Sequence, residues 1–132
     1  MTIFAPTSVG DVLDRLTILA HKGTKVVGAP AANVGRELAA LATAWRDAGL
    51  PSPESVPEFA ALDLVNRELW ATEDRLRAAE AAGDFGAGFV QQARAVYRLN
   101  DRRAALKRAV NFRYGSALVE EKLHPHYEAG NG

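Results

Sequence analysis

Apolar residues recur at helical spacing along most of the chain, and the interruptions fall where Gly and Pro gather. Val9, Val12, Leu13, Leu16, Leu19 and Ala20 share one face, with Asp11, Asp14, Arg15, Lys22 and Lys25 opposite. This predicts a first helix from Val9 to about Val27, with Gly23 an earlier candidate stop. Ser8 is placed as its N-cap, with Asp11 three residues on as a capping-box partner. Val34, Leu38, Leu41 and Trp45 then repeat at steps of four, three and four, predicting a second helix from Ala31 or Asn33 to Ala48. Gly49 ends it, and Pro51, Pro53 and Pro57 hold the next stretch in a loop.

A third helix, Glu58 to Ala82, buries Phe59, Leu62, Val65, Leu69, Trp70 and Leu76. The fourth, Gly88 to Arg113, places Phe89, Ala93, Val96, Tyr97, Ala104 and Val110 on its apolar sector. Only Gly83-Asp84-Phe85-Gly86 lies between the two, so they form an antiparallel hairpin. Ser116 is a candidate cap for a last turn or two, ALVEEKL. No segment reads as a strand. The expected fold is all-α: an up-down-up-down four-helix bundle with a long C-terminal hairpin, one domain over 1–132, with 1–7 and 128–132 frayed.

The polar exceptions to this pattern carry the chemistry. Asn66 and Glu73 fall inside the buried sector of the third helix. Asn100, Arg103, Lys107 and Asn111 fall inside that of the fourth. A buried polar group without a partner costs about 1–3 kcal/mol, and a charge costs more. Positions equidistant from the hairpin turn meet, which sets Asn66 near Arg103 to Lys107 and Glu73 near Tyr97 to Asn100. One reading is a structural network that fixes register, with Glu73 neutralised by Lys107 or Arg103. The other is a cavity between the two long helices, walled by Trp70 and Tyr97 and floored by Arg103 and Lys107. Such a cavity suits a phosphate, a carboxylate or a nucleotide-sugar, since Arg offers a fork of donors and Lys a mobile charge.

Charge and composition narrow the function classes. The net charge is zero, which argues against nucleic-acid or membrane affinity. From Glu54 to Asp84 eight acids face three arginines, and from Arg94 to Arg113 seven bases face one acid. Two neighbouring helices of opposite sign, paired along their flanks, explain this most simply. With no cysteine there is no disulfide or thiolate chemistry. The N-terminus has no signal-peptide pattern, so a cytoplasmic location is expected. His124 and His126 lack a third ligand at metal spacing, and His21 reads as a surface residue; no metal or cofactor is expected.

Four stretches, SVGDVLDRLTILAHK, LVNRELWATEDRLR, FVQQARAVYRLNDRRAALKRAVN and GSALVEEK, resemble an uncharacterised bacterial family, a domain of unknown function. The resemblance runs from Ser8 to about Tyr127. It implies an all-helical cytoplasmic protein acting near glycan assembly, because members are often encoded among glycosyltransferase and surface-polysaccharide genes. It implies no reaction. Its motif points to Asp14, Lys22, Asn66, Trp70, Arg94, Asn100, Asp101, Lys107, Asn111 and the pair Glu121-Lys122. The chain departs from the pattern at Ala20-His21 and at His124.

These readings make the expected ligand-binding set Asn66, Trp70, Glu73, Tyr97, Asn100, Arg103, Lys107 and Asn111, around an anionic small molecule. Two alternatives stand beside it. One is a cofactor-free enzyme of the chorismate-mutase kind, folding an anionic substrate with Arg, Lys, Asn and Glu. The other is a scaffold with a structural polar core, docking on a protein partner or a second copy of itself.

Overall fold

The computed structural model describes residues 1–127; the fraying expected at 128–132 lies outside them. Four helices, α1 (Val9–Gly23), α2 (Ala29–Asp47), α3 (Phe59–Ala82) and α4 (Ala87–Arg113), follow one another, with a single 3-10 turn at Pro53–Ser55. Among the described residues there is no strand. Residues 1–7 are exposed and lie outside any helix.

Local chemistry sets the boundaries. The Ser8 hydroxyl accepts the Asp11 N–H at 3.0 Å and starts α1. That helix ends at Gly23 rather than Val27, because Thr24 turns both its N–H and its hydroxyl back onto the His21 carbonyl. Gly83 takes φ 67° after α3, where the Gly83 and Asp84 N–H groups return to the Glu80 and Ala79 carbonyls.

Contacts between helices give their directions. Arg15 reaches Glu37, so α2 runs back along α1. Thr17 meets Asn66 and His21 meets Trp70, so α3 runs parallel to α1. Arg75 meets Gln92 and Glu58 meets Arg113, which makes α3 and α4 antiparallel. The order is up-down-up-down. α1 is the central element and packs against each of the other three helices. The core joins Val12, Leu13 and Leu16 of α1 to Trp45, Val56, Leu62 and Val110. The Trp45 indole N–H donates to the Pro51 carbonyl, so this large ring is buried without stranding its polar atom.

α1 and α4 cross backbone to backbone at Gly10. A Cβ there would lie 2.3 Å from the Lys107 carbonyl oxygen, so only glycine permits the approach. The Gly10 N–H instead donates to Asn111 Oδ1 at 2.6 Å.

Two expectations change. ALVEEKL forms no helical turn: residues 118–127 run as an extended strap along α4. Ser116 is spent elsewhere, accepting the Val9 N–H and donating to the Leu118 carbonyl. The next side chains find partners on α4 and α1 that a helix would deny them. Glu120 binds Ser8 and Asn111, Glu121 binds Arg108, and Lys122 binds Asp101. The bases of α4 likewise do not pair along the flank of α3. Their described ion pairs go to Asp14 and Asp11 of α1, to Glu121 of the strap, and to Glu58 at the start of α3.

Candidate functional site

Asp14 is the organising residue. Its side chain is fully buried, where the helical pattern places it towards solvent. Arg103 grips it with two bonds, Nε to Oδ1 at 2.8 Å and Nη2 to Oδ2 at 2.6 Å. Asn66 Nδ2 donates to the same Oδ1 at 2.9 Å and to the Thr17 hydroxyl at 2.9 Å. The Thr17 hydroxyl in turn donates to the Asp14 carbonyl at 2.7 Å. Three helices thus converge on one carboxylate. A buried charge of this kind is tolerated because a fork of donors and a third hydrogen bond replace its water.

One turn away Lys107 Nζ donates to Asp11 at 3.1 Å, with both side chains partly shielded. Another turn on, Asn111 is 2% exposed. Its Oδ1 takes the Gly10 N–H and its Nδ2 donates to Glu120. The polar stripe of α4 therefore faces α1, whose aspartates neutralise it. Glu73 does not: it is exposed on α3, and neither Arg103 nor Lys107 binds it.

The same stripe has a second side. Between α4 and the strap lies an open groove of about 1190 Å³. Its floor includes Tyr97, Asn100, Arg103, Lys107 and Asn111, five of the eight expected site residues. Asn66, Trp70 and Glu73 do not line it. Asn66 is turned into the Asp14 network, and Trp70 meets His21 edge-on at 5.3 Å between centroids. His21 is accordingly half-buried rather than a surface residue, and its Nδ1 is buried with no partner among the described residues. The crevice between α3 and α4 holds a different, smaller groove of about 650 Å³, which none of the eight residues lines and to which Arg67, Arg75 and Arg98 contribute.

The donors facing the larger groove are unequally used. The Asn100 side chain, half-buried, makes no hydrogen bond among the described residues. Arg103 spends Nε and Nη2 on Asp14 and leaves Nη1 unengaged among the described residues. Lys107 spends one donor of three on Asp11. Tyr97 is 40% exposed rather than buried, because it opens onto the groove between α4 and the strap. Its ring meets Tyr127 at 4.8 Å and 63°.

Electrostatics follow the pairings. The hydrogen bonds from Arg103 to Asp14 raise the arginine above its ordinary value, against burial. Asp101 is held below its usual range, first by Lys122 and then by the Tyr127 hydroxyl. Burial pushes Glu120 up, but hydrogen bonds from Ser8 and Asn111 and the charge of Lys107 outweigh it and leave the carboxyl lowered. Arg113 likewise lowers Glu58.

Helical periodicity alone missed Asp14 and Asp11 as partners of the stripe, and it missed the strap altogether. The resemblance did point to Asp14, Asp101 and Glu121-Lys122, and all four make ion pairs here. Lys22 and Arg94, from the same motif, lie away from the groove lining. No family model matches the chain, and neither a curated protein nor a solved structure does so. Among the described residues no helix is long and apolar enough to cross a membrane.

Proposed function

We propose that this chain is a small helical binding protein that holds an anionic small molecule, of phosphate, carboxylate or nucleotide-sugar type, between α4 and the strap. The seat differs from the crevice between the two long helices, because the residues for it gather on the other flank of α4. One observation carries the reading. Asn100, Arg103 and Lys107 succeed one another at i, i+3 and i+7 along one groove, each with hydrogen-bond donors left unused among the described residues. The buried Asp14 and the half-buried Asp11 behind them fix the two cations in place, so an anion entering the groove meets donors already oriented. The nucleotide-sugar end of this range is where the resemblance to a glycan-associated family leads.

Asn100→Ala tests the reading without disturbing the fold, since the Asn100 amide has no partner among the described residues. Melting temperatures of both forms are measured against pyrophosphate, citrate and a uridine diphosphate sugar. A ligand selective for the folded state raises the wild-type value as its concentration exceeds its dissociation constant. The rise is expected in the wild type and is expected to be largely lost in Asn100→Ala. No rise with any probe, or an equal rise in both forms, contradicts the reading.

A further inference from the structure

The groove is not uniform along its length. At one end stand the rings of Tyr97 and Tyr127, with Val96, Leu123 and Pro125 beside them. At the other stand Arg103 and Lys107, with Arg108 paired to Glu121 and with Glu120 beside them. Along α4 the rise of about 1.5 Å per residue puts Asn100 about 4.5 Å from Tyr97, Arg103 about 9 Å and Lys107 about 15 Å. An inorganic anion would use only the second half of this.

The aromatic end is arranged for a flat group. The Tyr127 hydroxyl faces Asp101, which Lys122 clasps, and the Tyr127 ring lies against Tyr97. Tyr97 stands opposite with two fifths of its surface open, and nothing else in the described structure uses its hydroxyl. The two tyrosine rings, in edge contact with each other and both exposed, leave a π-face and an edge open to an incoming ring. Such platforms accept aromatic rings broadly, because stacking requires only a π-face.

We infer that the ligand of this groove carries an aromatic ring joined through a short spacer to a phosphate or carboxylate. The ring lies beside Tyr97, and the anionic group lies across Asn100, Arg103 and Lys107. The inference rests on the anion reading above and adds the chemical class of the ligand. A nucleoside diphosphate has this layout, with the sugar as spacer; a phosphate or dicarboxylate without a ring does not.

Calorimetric titration of the full chain with pyrophosphate, butyl diphosphate, adenosine, adenosine diphosphate and uridine diphosphate separates the parts. At least one nucleoside diphosphate is expected to bind about tenfold more tightly than pyrophosphate, as one stacked ring would give. Butyl diphosphate, with bulk but no ring, is expected to match pyrophosphate. Tyr97→Leu is expected to remove the tenfold advantage and leave pyrophosphate unchanged, whereas Asn100→Ala weakens every anionic probe. If pyrophosphate binds and needs Asn100 but the nucleotides bind no better, or Tyr97→Leu weakens pyrophosphate equally, the aromatic inference is overturned and the anion site stands. If no anionic probe binds, both fall together.

Discussion

Asp14 shows how one residue commits several helices. Its carboxylate takes both forks of Arg103 and the amide of Asn66, so removing it leaves the guanidinium without its acceptor and the amide with only the Thr17 hydroxyl. Breaking a buried pair from one side costs about 3–5 kcal/mol. Arg103 keeps 30% of its side chain in solvent, which places Asp14→Ala near the lower end, about 3 kcal/mol in urea unfolding. Gly10→Ala is expected to cost about 1–3 kcal/mol by the same measurement, because the new methyl group meets a backbone carbonyl that cannot swing aside. Asn100→Ala should stay within about 0.5 kcal/mol of the wild type. That contrast separates residues that build the stripe from the one left open to a ligand. A loss at Asn100 as large as that at Asp14 would make the whole stripe structural.

Among the elements, the helices were legible and the strap was not. Ser8, Gly49, Gly83 and the proline-rich loop marked helix ends to within a few residues, since each acts through local backbone chemistry. Residues 117–123 carry a helix-forming composition, yet they lie extended because Glu120, Glu121 and Lys122 each reach a partner far away in sequence. No local pattern encodes that. The side of α1 was misread for a related reason. A periodicity argument assigns each helix one buried face, whereas α1 packs on three neighbours. A polar residue on its second buried face, such as Asp14, therefore looks solvated in sequence.

The strap is held by charge, so its attachment depends on pH. Asp101 and Glu120 are both lowered from ordinary values of 3.8 and 4.5. A lowered carboxyl contributes its full stabilisation above the unfolded value and loses it as pH falls towards and through the folded one. The strap is therefore expected to stay on α4 from neutral pH down to about 4.5 and to detach below that. Cross-peaks between the Tyr97 and Tyr127 rings in NMR spectra, followed from pH 7 to pH 3, would report it. Loss of those contacts already between pH 7 and pH 5 would show that these carboxylates do not hold the strap.

At the scale of the molecule, the bundle and its helix directions followed from hydrophobic spacing and the short hairpin turn. The location of the groove did not. The sequence placed the polar residues of α3 and α4 on one shared seam, but the hairpin turns the α4 stripe towards α1 and the strap. Of the α3 set, only Asn66 reaches that network; Trp70 packs on His21, and Glu73 faces solvent. Two separate grooves result, and they give the central claim a sharp test. Backbone and side-chain amide signals, together with the arginine Nε–H signals, would be followed in 15N-labelled protein as pyrophosphate is added. The expected result is that the Asn100 side-chain amide, Arg103 Nε–H and the neighbouring strap amides move together and saturate, while the signals of Arg67, Arg75 and Arg98 stay still. Shifts confined to those three arginines, or none at millimolar pyrophosphate, would contradict an anion site between α4 and the strap.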